Sequence, residues 1–126
     1  MDPGLPGARG FRIDETPPFG AGSGPDPSRV LATAMASCLG SSLLFCPRKA
    51  RIEVRALTVK ASGKLVRNER KRLRVGAISV ERFPQVATGD VERTARCLEI
   101  FEDFCVVTES VRHGIPVTVG VQTVTA

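Results

Sequence analysis

One stretch of this sequence, residues 30–46, constrains the fold more than any other feature. Almost every residue in it is apolar or small, and Pro27 and Pro47 stand just outside it. Asp26 can cap the free amide groups of a helix, and Pro27 suits the first helical position because its missing N–H would have no partner there. Pro47 and the two basic residues after it mark the helix end. A helix that is apolar all round is expected to be buried in the core.

The segments after this helix alternate between apolar and polar residues, as strands do. Leu57, Val59 and Ala61 alternate with polar residues and predict a half-buried strand. Residues 73–80 predict a second strand. The basic, polar stretch between them, residues 67–72, predicts a solvated turn. Together they form a hairpin.

A second helix is predicted from about Asp90, with Gly114 as its stop. Its apolar residues recur every three or four positions along one face: Val91, Ala95, Leu98, Phe101 and Cys105. Residues 115–121 then alternate as a final strand, and residues 11–14 predict a short first one. The order of strand, helix, hairpin, helix and strand indicates an α+β domain with antiparallel pairing.

The composition is that of a globular chain. It has 126 residues, of which 42% are hydrophobic and 25% charged, so we expect one domain over residues 1–126, with residues 1–10 flexible. The uncharged run at residues 30–47 is interpreted as the buried core helix described above, so no membrane span is expected. The start lacks a basic stretch followed by an apolar one, so a secretory signal is not expected either. We therefore predict a cytoplasmic protein, in a compartment that keeps thiols reduced.

The formal net charge of +5 raises nucleic acid as a partner. Against that class, the sequence has no Trp or Tyr for base stacking, and its basic residues are scattered apart from residues 67–72. We therefore expect no nucleic-acid partner.

Four cysteines lie in the two predicted helices, as two pairs whose members are eight residues apart: Cys38 and Cys46, and Cys97 and Cys105. Eight helical residues rise ~12 Å, whereas the sulfurs on one zinc ion lie within ~4 Å of each other, so a shared metal is not expected. If the helices pack antiparallel, Cys38 faces Cys105 and Cys46 faces Cys97. Either a redox pair or passive core thiols would fit this spacing, because free cysteine packs as a small hydrophobe.

Cys38 has the surroundings that suit chemistry, because its small neighbours, from Ala36 to Gly40, leave room for a substrate. Cys46 and Cys97 have bulky or charged neighbours and are interpreted as packing residues. A reactive thiol must ionise, which requires a positive neighbour, a donor or a helix N-terminus. Cys38 lies about three turns into its helix, too deep for the dipole of that helix, so we expect an arginine to help. His113 is interpreted as a capping residue.

Two parts of the sequence carry a resemblance to a known family. Residues 11–14, 24–27 and 31–38 resemble the entry of the OsmC/Ohr family into its first central helix, which bears the first cysteine of that family. Residues 97–111 look like the OsmC-like segment with the second cysteine, and residues 114–117 are similar to the start of its last strand. The resemblance covers roughly residues 11–122.

This resemblance implies an OsmC-like α+β fold: a curved antiparallel sheet on two central helices, with shortened N-terminal strands, in an intertwined homodimer. It implies that Cys38 is the peroxidatic thiol, which attacks an organic hydroperoxide and becomes a sulfenic acid. Cys105 would be the resolving thiol that closes the disulfide, and a dithiol such as dihydrolipoamide would reduce it. No metal or other cofactor is implied.

The sequence departs from the family near the helix start. The family places a glutamate after the helix-opening proline to orient the activating arginine, whereas Ser28 and Arg29 occupy that neighbourhood here. Arg9 and Arg12 are the nearest candidates for the activating cation. The alternative function is therefore a non-enzymatic OsmC-like domain that binds an apolar small molecule or senses oxidants.

Overall fold

A computed structural model describes Gly4, Gly7 and residues 10–126, apart from the side chain of Phe101. Arg9 and most of the segment predicted to be flexible, residues 1–10, lie outside the described residues. The described chain has an α+β architecture with a two-stranded antiparallel sheet and three α-helices. In chain order the elements are α1 (Pro27–Lys49), β1 (Ala56–Arg67), β2 (Leu73–Gln85), α2 (Val91–Phe101) and α3 (Val106–His113). Short 3₁₀ turns, Thr88–Asp90 and Glu102–Phe104, precede α2 and α3.

Helix α1 begins as predicted. The Oδ1 atom of Asp26 accepts a hydrogen bond from the N–H of Arg29 at 2.9 Å, and Pro27 takes the first turn. Its burial differs from the prediction, because α1 is not buried all round. The buried residues follow one stripe that packs on β1, α2 and α3: Met35, Leu39, Gly40, Leu43 and Pro47. The opposite stripe stays exposed because no described part of this chain covers it.

Helix α1 is also long and apolar enough, by length and composition alone, to cross a membrane. The interpretation of residues 30–47 as a buried core helix did not predict this property. The core helix of a soluble protein passes the same test, and one face of α1 packs against the other elements of the chain.

The predicted hairpin is confirmed and is longer than expected. Strands β1 and β2 pair from Ala56 opposite Gln85 to Arg67 opposite Leu73, with one irregularity at Lys64 and Leu65. Strand β1 lies against α1 through Leu57 and Val59, which are half-buried as predicted, whereas Ala61 is exposed. Gly40 allows this close approach, since a Cβ atom there would lie 3.2 Å from Cγ2 of Val59.

The turn of the hairpin is solvated, as predicted. The Asn68 side chain organises it, because its Oδ1 atom accepts the backbone N–H groups of Arg70 and Arg72 at 3.0 and 2.9 Å.

The second predicted helix is wrong in one respect that matters for the site. The chain does not continue as one helix from Asp90 to His113 but breaks at Cys105, whose backbone is extended (φ −72°, ψ 105°). The buried face of α2 also differs from the predicted one. Thr94 and Cys97 are buried, whereas Val91 and Ala95, which were predicted to face the core, are exposed. A covalent link at Cys97, described below, holds that face against α1. Gly114 ends α3 with a positive φ of 76°, in the role predicted for it.

The two predicted terminal strands are absent from the described chain. Residues 11–14 form no strand, because the backbone of Asp14 bonds to Pro25 and its carboxylate accepts three hydrogen bonds from Ala21 and Ser23. Residues 115–121, all of them described, also form no strand, and the alternating valines there are exposed, Val121 by 86%. A strand needs a neighbour to satisfy its backbone groups, and no described segment of this chain lies beside these residues.

Candidate redox site

Two of the cysteines form a free thiol pair between α1 and the start of α3. Cys38 lies in the middle of α1 and is half-buried, whereas Cys105 is 0% exposed and is the residue that caps α3. The two thiols are close enough to interact as donor and acceptor. The antiparallel packing predicted from the spacing therefore brings Cys38 and Cys105 together.

Cys105 is the more acidic thiol of this pair. Burial opposes its ionisation, but hydrogen bonds from Cys38, from the hydroxyl and N–H of Thr108 and from Ser42 outweigh burial and lower the pKa of Cys105. One of these contacts joins Sγ of Cys105 to Oγ1 of Thr108 at 3.1 Å. A thiolate at a helix N-terminus with such donors is stabilised in the way that reactive cysteines require.

Cys38 has the opposite shift. Burial is the largest cause that raises the pKa of Cys38, and the neighbouring Cys105 raises it further. The backbone N–H groups of Val107 and Thr108 act in the other direction, because they donate toward the Cys38 sulfur. Of the two thiols, Cys105 therefore loses its proton more readily than Cys38, and Cys38 can donate a hydrogen bond to it.

Among the described residues, the expected arginine does not stand beside Cys38. None of the largest influences on the Cys38 thiol is an arginine. Arg12 is exposed, and Arg29 is exposed and faces Asp26 at 3.7 Å. The donors come instead from the first turn of α3, and the prediction of one continuous helix hid this second N-terminus. The sequence signal for the break at Cys105 is the pair of β-branched residues directly after it, Val106 and Val107, because β-branched side chains lower the propensity for helix.

A charged network surrounds the segment that carries Cys105. Glu102 accepts from Arg112 at 3.2 Å and lies 3.7 Å from Arg82 of β2. Glu109 pairs with Arg112 and lies 3.2 Å from Nε2 of His113. His113 stays exposed in the last turn of α3, consistent with its interpretation as a capping residue. These contacts join the turn before Cys105 to the helix after it and to the sheet.

The other two cysteines are joined in a disulfide. Cys46, near the end of α1, is bonded to Cys97 in α2, with their Cα atoms 5.5 Å apart. The predicted pairing is confirmed, but the interpretation of Cys46 and Cys97 as packing residues is wrong, because each sulfur is in a covalent bond. The antiparallel approach of α1 and α2 places the two thiols within bonding distance, which neighbouring residue types do not reveal.

Two open clefts flank α1. The larger, about 610 Å³, lies between the first turns of α1 and the hairpin, with Asp26 and Arg29 at one end. The smaller, about 450 Å³, is lined by Leu31, Met35, Ile78 and Val111, among others, and reaches Thr108, the residue bonded to Cys105. Among the described residues, no group of three or more His, Cys, Asp or Glu side chains is placed to hold a metal ion.

The fold and the site together define an α+β domain in which two thiols meet between a long apolar helix and the N-terminus of a short one. The sequence pattern of the OsmC-like protein family matches residues 20–120. The chain belongs to the OsmC-like protein family.

Solved structures agree with that assignment. The fold is similar to that of an OsmC-like protein of unknown function from Vibrio cholerae, with a TM-score of 0.65, 18% identity and a match over 75% of this chain. It is also similar to an OsmC-like protein from Mycoplasma pneumoniae, with a TM-score of 0.63, 13% identity and a match over 79% of this chain and 70% of that one. The chain covers 64% of the Vibrio protein, which is less than two thirds of its length. No curated protein sequence matches this chain.

Proposed function

We propose that the protein is a thiol-dependent peroxidase that reduces organic hydroperoxides through Cys38 and Cys105. The observation that carries this proposal is the meeting of these two thiols at the N-terminus of α3 in an OsmC-like domain. A peroxidatic cycle needs two sulfurs that can bond to each other and a thiol that ionises readily, and the contact of Cys38 with the more acidic Cys105 supports both requirements.

Exposure assigns the roles within the pair. Cys38 is half-buried, whereas Cys105 is fully buried, so the hydroperoxide meets Cys38 first. The thiolate of Cys105 takes the proton from Cys38, and the Cys38 sulfur then attacks the outer oxygen of the hydroperoxide. The O–O bond breaks, and the alkoxide leaves with the proton that Cys105 holds, as the alcohol. Cys38 becomes a sulfenic acid.

The second step closes the pair. The thiolate of Cys105 attacks the sulfur of the Cys38 sulfenic acid, forms the disulfide and releases hydroxide. A dithiol such as dihydrolipoamide then reduces this disulfide by two exchange steps and becomes a cyclic disulfide itself. In total, one hydroperoxide and one dithiol give one alcohol, one water and one oxidised dithiol.

The smaller cleft supports an organic hydroperoxide as the substrate. Its apolar side chains, Leu31, Met35, Ile78 and Val111, suit the hydrocarbon part of an organic hydroperoxide better than they suit hydrogen peroxide. Thr108 links this cleft to the thiol pair.

We further propose that the protein acts as a cytoplasmic homodimer. The exposed stripe of α1 and the valines of residues 115–124 leave apolar surface that a second copy can cover. Residues 115–121 would then pair as a strand with the open edge of the partner's two-stranded sheet, which explains their alternation. Light scattering tests this proposal, and a stable monomer would contradict it.

The decisive experiment for the peroxidase adds sub-stoichiometric cumene hydroperoxide to protein in which Cys38 and Cys105 are reduced. Intact mass and peptide mapping should show rapid formation of a Cys38–Cys105 disulfide. Cys38→Ser should form none, and Cys105→Ser should accumulate a sulfenic acid at Cys38 that dimedone traps. Equally slow oxidation of Cys38 in wild type and Cys105→Ser, and of Cys105 in wild type and Cys38→Ser, would count against the proposal.

One observation favours the alternative, a non-enzymatic domain that binds an apolar small molecule or senses oxidants. None of the largest influences on Cys38 is a cation, and the apolar cleft stands open beside the pair. If hydroperoxide leaves the pair reduced, binding of an environment-sensitive apolar dye, and its loss in Met35→Asp, would support this function instead.

A further inference from the structure

The Cys46–Cys97 disulfide occupies a position from which it controls α2. It joins the last turns of α1 to the middle of α2 across 51 residues of sequence. Cys46 is half-buried, whereas Cys97 is only 5% exposed. Thiol exchange depends on which sulfur the incoming thiolate can reach, so attack falls on Cys46 and Cys97 leaves.

Helix α2 packs on α1 but buries few of its own side chains. Among its residues with described burial, only Thr94 and Cys97 are buried, while Val91 and Ile100 are more than half exposed. The hydroxyl of Thr94 bonds within the same segment, to the carbonyl of Asp90. One polar link reaches α1, from Nη2 of Arg93 to the carbonyl of Ala50 at 2.7 Å. A helix that buries few side chains belongs to the less stable part of a fold, and the disulfide is the covalent link that holds it to α1.

The same helix leads directly to Cys105. After α2 the chain makes the short turn Glu102–Phe104 and reaches Cys105, eight residues beyond Cys97. The disulfide restrains the chain on the α2 side of Cys105, while the ion pairs of Glu102 and the contact with Thr108 restrain it toward the sheet and α3. Release of Cys97 removes the first of these restraints.

We propose that Cys46–Cys97 is a second redox site, at which a small dithiol attacks Cys46. Reduction of this disulfide frees α2, and the placement of Cys105 opposite Cys38 becomes looser as a result. The exchange is independent of the peroxidase, whereas its consequence for Cys38 and Cys105 rests on the proposed function.

The chemistry of the exchange balances with the dithiol as reductant. One thiolate of the dithiol attacks Sγ of Cys46, a mixed disulfide forms, and Cys97 leaves as a thiolate that takes up a proton. The second thiol of the dithiol loses its proton and attacks the other sulfur of the same dithiol, which is bonded to Cys46 in the mixed disulfide. Cys46 leaves as a thiol, and the dithiol departs as a cyclic disulfide.

The first experiment tests the exchange on the full-length Cys38→Ser/Cys105→Ser variant, in which the thiol pair is absent. Oxidised protein is treated with millimolar dithiothreitol without denaturant, quenched with acid, alkylated and mapped by mass spectrometry. Reduction within minutes is expected, and a monothiol such as 2-mercaptoethanesulfonate should give a mixed disulfide at Cys46 and not at Cys97. A bond that opens only after urea is added would overturn the proposal and leave the disulfide as a fixed structural link.

The second experiment tests the consequence without mutation, by hydrogen exchange of wild-type protein before and after reduction of Cys46–Cys97. The amides of α2 should exchange at least about tenfold faster after reduction, while those of β1 and β2 keep their rates. Arg93→Ala, which removes the polar link to Ala50 and the ion pair with Asp90 but keeps the disulfide, is the control and should change the α2 rates less. Equal α2 rates in oxidised and reduced protein would overturn the coupling.

A third measurement separates this proposal from the proposed function. In Cys46→Ser/Cys97→Ser, closure of Cys38–Cys105 after one equivalent of cumene hydroperoxide should be about tenfold slower, with more sulfenic acid trapped at Cys38. Unchanged closure would contradict the coupling. If hydroperoxide oxidises Cys38 neither in wild type nor in Cys46→Ser/Cys97→Ser, the proposed peroxidase function is wrong. The thiol-exchange and hydrogen-exchange experiments still test the second redox site in that case.

Discussion

The two cysteine pairs link the same two regions of the chain, yet one is a pair of free thiols and the other a disulfide. Cys46 meets Cys97 within a regular helix, where the packing of α1 and α2 sets the distance between them. Cys38 meets Cys105 where the helix has broken, and the first turn of α3 directs N–H and hydroxyl donors at the two sulfurs.

The difference shows that backbone conformation, rather than spacing, separates the two pairs. Both have the same separation along their helices, but only Cys105 is released from its helix into a capping position. Donors at that position stabilise a thiolate, which can react, whereas the pair within the helices has no such donors from a helix terminus. The pairs thus divide into a site for chemistry and a covalent link that holds α2.

The largest expected effect is a difference in oxidation rate between the pairs. When all four cysteines are reduced, one equivalent of cumene hydroperoxide should close Cys38–Cys105 about 100-fold faster than Cys46–Cys97, because only the first pair contains a stabilised thiolate. Acid quenching, alkylation and peptide mapping over time measure both rates. Equal rates for the two pairs would remove the distinction on which the comparison rests.

The second expected effect concerns stability and belongs to Cys46–Cys97. This bridge closes a loop of 51 residues, and the chain-entropy relation gives about 4 kcal/mol for a loop of that size. Urea unfolding of Cys38→Ser/Cys105→Ser, oxidised and reduced, isolates this one bridge, and reduction should lower the unfolding free energy by about that amount. A loss of unfolding free energy below about 1 kcal/mol would mean that native-state strain or residual structure in the denatured state offsets the stabilisation by the disulfide.

The cysteine comparison also shows what sequence reasoning can and cannot predict. The cap at Asp26, the stop at Gly114 and the hairpin were all predictable, because each rests on a local pattern of a few residues. The antiparallel pairing of the cysteines was predictable as well, since equal spacing on two helices has few other solutions.

The errors have a common cause in tertiary structure. The break at Cys105 was missed because apolar residues keep a helical period through it, and period alone does not reveal a change of backbone conformation. Residues 115–121 alternate between apolar and polar residues as a strand does, but no strand of the described chain pairs with them. Alternation predicts which side chains share a face of a strand, but it does not show which strand lies beside it. The second helix N-terminus, which takes the place expected for an arginine, follows from the same missed break.

The third expected effect is on acidity at the free pair. Thr108→Val removes the hydroxyl that lies 3.1 Å from Sγ of Cys105 and so raises the pKa of Cys105, because the thiolate loses a donor. Less thiolate is then present at a given pH, so the pH profile of reaction with hydroperoxide moves to higher pH. The rate at neutral pH should fall about tenfold, the value of one hydrogen bond to a charged group.

Thiolate absorbance at 240 nm measures this shift directly, because the disulfide-bonded pair does not titrate. Thr94→Val is the matched control, since Thr94 is equally buried but bonds to Asp90 within its own segment. An equal shift in both variants would indicate a general loss of packing and not a specific donor.

The smallest expected effect comes from Ser42, the weakest of the named influences on Cys105. Its hydroxyl donates to the backbone carbonyl of Cys38 at 2.9 Å and also helps to lower the pKa of Cys105. Because that hydroxyl is shared between two acceptors, Ser42→Ala should reduce the hydroperoxide rate at neutral pH only about two- to threefold, near the low end for a neutral hydrogen bond. Ser41→Ala, one residue away on the exposed stripe of α1, is the control and should leave the rate unchanged. If Ser42→Ala slows the reaction as much as Thr108→Val does, the donors that lower the pKa of Cys105 lie on α1 as much as on α3. The contrast between the two cysteine pairs would then depend on α1 and not on the break at Cys105.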